Sequence, residues 1–165
     1  MNVVIFFTDQ QRWDTTGAAG NPCGLTPNFD KMAQEGTYVS EAFTPQPVCC
    51  PARGVLQTGK YATTIGTYRN ARVLGREHKT MADYFNAAGY DTGYIGKWHL
   101  GSGKKAVVEE ERGGYQYWLG ANSLEHTSTA YDTVVYDNDN QEVKLPGYRV
   151  DALTDAAIRY IDEHK

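Results

Sequence analysis

Between Pro47 and Gly59 the chain reads P-V-C-C-P-A-R-G-V-L-Q-T-G, a stretch rich in residue types that can attack an electrophile or bind an anion. Cys49, Pro51 and Arg53 stand two residues apart, and Thr58 and Gly59 follow. Pro47 disfavours a helical conformation before it, whereas Pro51 suits a first helical turn, where its missing N–H would be unpaired anyway. The pattern predicts a helix beginning at Pro51, with Cys49 and Cys50 at its N-terminus. Unpaired N–H groups and the positive end of the helix dipole favour an anion there, such as sulfate or phosphate. Arg53, one turn in, can turn its guanidinium toward the same anion.

Other chemistries compete for these residues. A cysteine pair beside a turn is commonly a packing feature. A zinc site would need C-x2-4-C spacing and a second pair, and the adjacent Cys49 and Cys50 offer neither. Gly54-x4-Gly59-Lys60 comes near a phosphate-binding loop, but Tyr61 replaces the Ser or Thr that would hold magnesium, and no apolar strand precedes Gly54. Two further places carry polar groups at strand ends. Asp9 and Gln10 follow the apolar run N-V-V-I-F-F-T, and ligands of open α/β sheets bind just beyond the carboxyl ends of strands. A lone Asp there also serves to cap a turn. Lys97 and His99 close a second candidate strand, where an ammonium and an imidazole two residues apart can converge on one anion; Lys-x-His also occurs as surface decoration.

The elements that must position these groups follow from periodicity. Asn2 to Thr8 reads as a strand buried on both faces of a parallel sheet. Gly17 to Pro27 reads as a loop, after which Thr26-Pro27 starts a helix with Phe29, Met32 and Ala33 on one face and Gly36 as its stop. Thr37 to Thr44 is predicted as a strand leading into the cysteine stretch. Tyr61 to Lys79 reads as an irregular segment lining a site. Thr80 caps a helix whose stripe is Met81, Tyr84, Phe85 and Ala88, stopped by Gly89. Asp91 to Trp98 is the next strand, and Gly101 to Gly114 reads as flexible. Tyr131 to Tyr136 and Glu142 to Leu145 flank Asp137-Asn138-Asp139-Asn140 as a hairpin. Tyr148 to His164 is a closing helix with Val150, Leu153, Ala157, Ile158 and Ile161 on its apolar side.

The 165 residues suit about one domain, and 41% hydrophobic with 22% charged residues is the balance of a globular protein. A formal net charge of −4, with no like-charge run beyond Glu109 to Glu111, gives no footprint for nucleic acid. The 3 cysteines cannot build a disulfide framework. Val3 to Phe7 is too short for a signal or membrane segment, so the expected location is the cytoplasm, or the periplasm or exterior had a leader been removed.

Two blocks together carry a family resemblance. Cys49-x-Pro51-x-Arg53 with Thr58-Gly59 resembles the signature of the type I sulfatases, and Gly89-Tyr90-Asp91-Thr92-Gly93-Tyr94-Ile95-Gly96-Lys97-Trp98-His99 resembles their second block, G-Y-x-T-x-x-x-G-K-x-H. The segment T-P-N-F-D-K-M-A-Q-E-G is also similar to theirs, and T-D-Q-Q-R-W-D resembles bacterial carbohydrate sulfatases.

The resemblance covers nearly the whole chain. It implies an α/β, alkaline-phosphatase-like sandwich with a mostly parallel central sheet flanked by helices, and hydrolysis of a sulfate ester, with a sulfated carbohydrate as substrate. It also implies that Cys49 is oxidised to formylglycine by a formylglycine-generating or anaerobic sulfatase-maturating enzyme, and serves as nucleophile and metal ligand. Asp9 and Gln10 would ligate the metal, Ca2+ or else Mg2+, Gln10 departing from the usual aspartate. Arg53 would steady the hydrated aldehyde, and Lys97 and His99 would hold the sulfate and the nucleophile's hydroxyls. A later block of the family, with a further Asp and a Lys and His, does not occur before Lys165, so residues 1–165 read as the N-terminal part of a catalytic domain with an incomplete site. A phosphonate monoester or phosphodiester hydrolase of the same superfamily, and a non-catalytic fragment or binding module, are the alternatives. Self-association into a homo-oligomer is left open.

Overall fold

A computed structural model describes residues 1–164, which divide into two units, residues 1–44 and the remainder from Pro45.

The first unit is built from loops, two short 3-10 turns at Trp13–Thr15 and Gly17–Ala19, and helix α1, Pro27–Glu35. Proline at the first position and Gly36 at the end bound α1 as the sequence predicts. Its first turn is tied back by Asp30, whose carboxylate accepts the Ala18 N–H (2.8 Å) and the Thr26 hydroxyl (3.0 Å). The proposed core stripe is not buried: Phe29 and Met32 are both exposed. Neither expected strand forms. Residues 2–8 and 37–44 lack strand pairing, and Phe6 is 80% and Phe43 88% exposed. The reason lies in what a strand is. An apolar, β-branched run supplies the side chains for a sheet, but only a hydrogen-bonded neighbouring strand makes it one, and among the described residues no strand of the sheet is laddered to either run.

The second unit is α/β. Helices α2 (Cys49–Thr58) and α3 (Met81–Ala87) precede strand β1 (Gly93–Lys97). After β2 (Tyr117–Ala121) come the single-turn α4 (Leu124–Thr127), the hairpin β3 (Thr133–Tyr136) and β4 (Glu142–Leu145), and α5 (Arg149–Glu163). The strands lie in the order β1-β2-β3-β4. β1 and β2 run parallel, Gly93 opposite Tyr117 and Lys97 opposite Ala121; β3 and β4 are added antiparallel, so the sheet is mixed where the sequence predicts a mostly parallel one. Strand β2, within Q-Y-W-L-G-A, went unpredicted because its run is short and lacks alternation.

Alternation along β1 and β2 sends Tyr94 and Trp118 to one face and Ile95 and Leu119 to the other. The first face forms a core with Cys50, Ile65, Leu74, Trp98, Leu100 and Val107, in which the Tyr94 ring stacks on Trp118 (5.2 Å) and meets Trp98 edge-on (4.9 Å). The second face receives α5 through Ala152 and Ala156, beside Val135 and Leu145. Of the predicted stripe, Leu153 packs against this cluster, while Val150, Ile158 and Ile161 are exposed. The small alanines let the helix sit close to the sheet, while Tyr160 packs on Tyr117 with ring centres 4.6 Å apart.

Helix α3 shows a similar shift: Ala82 is its buried residue and Tyr84 is exposed. Its predicted Thr80 cap is present as a reciprocal capping box with Asp83. The segment from Gly101 to Gly114, expected to be flexible, is held by a dense set of hydrogen bonds. The Asn122 amide donates to the carbonyls of Gly101 (2.8 Å) and Gly103 (2.6 Å). Buried Arg112 donates to those of Val107 (3.0 Å) and Asn138 (2.8 Å).

Candidate active site

Helix α2 begins at Cys49 rather than at Pro51, entered by Val48 in an extended conformation (φ −134°, ψ 143°). Pro51 therefore sits inside the first turn. The two adjacent cysteines occupy opposite environments. Cys49 is partly exposed, whereas Cys50 is buried, its thiol donating to the Arg72 carbonyl (3.4 Å). Burial pushes the Cys50 thiol above its ordinary pKa, which keeps it protonated and unreactive. The Cys50 N–H is donated to the Asn70 side-chain oxygen (3.0 Å) and Pro51 has none, so this first turn presents fewer donors to an anion than the sequence predicts.

Arg53 is buried, and its Nη1 donates to the Lys97 carbonyl at 2.6 Å and to the Tyr94 hydroxyl at 3.4 Å. Through this nitrogen the guanidinium binds the cysteine helix to the end of β1. Gly54 makes the close packing of α2 feasible, since a Cβ there would lie 2.4 Å from the Thr67 hydroxyl. The helix ends in Thr58 and Gly59. The Thr58 hydroxyl donates to the Gly54 carbonyl (2.8 Å) and accepts the Lys60 N–H (3.2 Å). Gly59 adopts φ +67°, and its N–H bonds the Val55 carbonyl at 2.8 Å.

At the carboxyl end of β1, Lys97 is fixed at both ends. Its carbonyl accepts from Arg53 and from the Tyr94 hydroxyl, and its ammonium donates to Glu125 on α4. The Lys97 side chain is only 6% exposed and that of Glu125 54%. Burial pushes the Glu125 carboxyl up, but the hydrogen bond from Lys97, aided by the charges of Lys97 and His99, holds it below the usual carboxylate range. Glu125 is thus within electrostatic reach of both basic residues. His99, partly buried, stands in the left-handed region (φ +61°), an uncommon conformation for a residue other than glycine.

Cys49, Arg53, Lys97 and His99 all belong to the second unit, where α2 and β1 are joined through Arg53. Asp9 and Gln10 belong to the first unit, in an exposed bend. Their carboxylate and amide oxygens have the hard-donor character that calcium or magnesium favours. Among the described residues, however, no three His, Cys, Asp or Glu side chains gather into a metal site. A shallow groove lined by Asp91, Thr92, Gln116, Tyr160 and His164 lies at the opposite end of β1 and β2 from Lys97 and takes no part in this arrangement. Glu125, Tyr94 and Asn70 were missed by sequence reasoning. The Lys97–Glu125 pair bridges a separation of 28 residues, and no local pattern announces it.

Comparison with known proteins locates the arrangement in a family. The profile of the Sulfatase family matches residues 1–165. An ulvan-active sulfatase from Formosa agariphila is 39% identical over 98% of this chain and 32% of its own length. Human arylsulfatase A is 34% identical over 72% of this chain and 25% of its own length. The crystal structure of a putative sulfatase from Bacteroides fragilis superposes with a TM-score of 0.83 at 26% identity, over 94% of this chain and 38% of that one. A second structure, described as a complex with its substrate D-glucosamine-2-N,6-O-disulfate, gives a TM-score of 0.71 at 26% identity, over 92% of this chain and 29% of that one. The chain therefore spans about a third of the length of the relatives it matches.

Proposed function

From the premise that the chain belongs to the sulfatase family, we propose that it contributes the nucleophile and anion-binding portion of a sulfuric ester hydrolase acting on a sulfated carbohydrate. The observation that supports this most is the docking of the Cys49 helix on the Lys97-x-His99 strand end through Arg53. It joins the two recognisable blocks into one piece of structure, and the sugar-directed relatives support the substrate class.

In this reading Cys49, at the accessible start of α2, is the residue converted to formylglycine, whose hydrated aldehyde supplies the attacking oxygen. Arg53 neutralises charge beneath that position and holds the helix in register with β1. Lys97 presents an ammonium to the sulfate oxygens, where a fixed charge stabilises negative charge developing on the ester. His99 donates or accepts a proton at an imidazole nitrogen from a neighbouring hydroxyl. Asp9 and Gln10 are proposed as ligands of a divalent cation, Ca2+ or Mg2+. They fall short of the roughly six oxygens calcium takes, so further ligands must come from outside this set.

The test is a parallel assay of the full-length protein on an aryl sulfate, an aryl phosphodiester and a panel of sulfated oligosaccharides, together with intact mass. Turnover of sulfate esters and a mass at Cys49 consistent with an aldehyde are expected. Preference for the phosphodiester would reassign the reaction class, and an unmodified thiol without turnover would reduce the chain to a binding module.

A further inference from the structure

Resting on the reading of Lys97 as a sulfate-binding group, we propose that Glu125 is a positioning residue that fixes the Lys97 ammonium in place and keeps it charged. Three observations carry this. The Lys97 side chain is almost fully enclosed, and an enclosed ammonium with no acceptor tends to lose its proton or swing away. Glu125 accepts a hydrogen bond from that ammonium, and its own side chain remains half exposed. The backbone of Lys97 is meanwhile anchored by Arg53 and the Tyr94 hydroxyl. With its main chain held from the α2 side and its ammonium from the α4 side, Lys97 has little freedom, and Glu125 sets where its charge is presented. The groups facing Glu125 from β1 and its continuation are Lys97 and His99, both basic.

The experiment uses the full-length protein with Glu125→Gln and Glu125→Asp. Competitive acetylation of lysines, read by peptide mass spectrometry, reports the free-base fraction and accessibility of Lys97 whether or not the protein turns over. Lys97 in the wild type should label more slowly than exposed Lys60. Glu125→Gln should raise its rate about tenfold, equivalent to one unit of pKa, with Glu125→Asp in between. On an aryl sulfate, Glu125→Gln should lower kcat/KM by about 10- to 100-fold, chiefly through KM, and Glu125→Asp should recover part of it. Unchanged Lys97 labelling in Glu125→Gln would overturn the proposal. Faster labelling with unaltered kinetics would overturn the positioning role in turnover. Should the wild type hydrolyse no sulfate ester while the labelling shift appears, the functional reading of the site fails and the hold of Glu125 on Lys97 stands.

Discussion

Adjacent cysteines with identical chemistry are separated here by one step of helix rotation. Cys49 is reachable at the start of α2, whereas Cys50 is enclosed beneath the Arg72 carbonyl and keeps its proton. Only Cys49 also has proline and arginine at the following second and fourth positions. In the full-length protein, Cys49→Ala should abolish sulfate ester hydrolysis and Cys50→Ala should retain much of it, with a modest fall in thermal stability from the lost buried sulfur. Equal loss in both variants, measured as kcat at saturating substrate, would contradict the assignment. A second prediction at this scale concerns the cation. If Asp9 is a ligand, Asp9→Ala should remove bound metal from the purified full-length protein, and full occupancy by elemental analysis would take the cation away from this residue.

Among the elements, α3 offers the clearest energetic test. The Thr80 N–H donates to Asp83 (2.8 Å), the Asp83 N–H donates to the Thr80 hydroxyl (3.4 Å), and Arg76 pairs with the same carboxylate at 3.0 Å. Thr80→Ala should cost about 1–2 kcal/mol, read in urea unfolding. Burial pushes the Asp83 carboxyl up, but hydrogen bonds from Arg76 and the Thr80 N–H prevail and leave its pKa lowered. A carboxyl lowered on folding stabilises the protein above its unfolded value of about 3.9, and that contribution is lost as pH falls through the folded value. The acid limb of a stability–pH profile should therefore be shallower in Asp83→Asn, and an unchanged limb would remove Asp83 from the account. This helix also shows how far the sequence was readable. Thr80 and Gly89 declared its ends, because caps depend on residues adjacent in the chain. Its buried face was misjudged: Ala82 lies inside and Tyr84 outside. A similar exchange occurs on α5, where Ala152 and Ala156, with Leu153 beside them, meet the sheet while Val150, Ile158 and Ile161 stay exposed. Which face of a helix turns inward depends on what it meets, and that information lies far away in the chain. The candidate site divides similarly. Cys49, Arg53, Lys97 and His99 were visible as spaced types, while Glu125 became visible only once α4 was placed beside β1.

For the molecule as a whole, β1 stands first in the strand order, so its outer edge has no partner strand among the described residues, and Phe6 and Phe43 are largely exposed. Unpaired edges and exposed aromatics favour aggregation. A purified protein of residues 1–165 alone is expected to show no sulfatase turnover and concentration-dependent light scattering; a monodisperse, active 165-residue chain would refute this. The division into two units has a consequence for amide hydrogen exchange. In α1 no residue is buried, whereas β1 and β2 flank an enclosed aromatic cluster. Amides of residues 1–44 should open and exchange early and those of β1 and β2 late, a gradient set by local opening free energy. Asp9 and Gln10 lie in the fast-exchanging portion, so a ligand that binds them stabilises the closed form by mass action. Such a ligand would announce itself as slowed deuterium uptake around Asp9, in a stretch whose amides otherwise carry little protection.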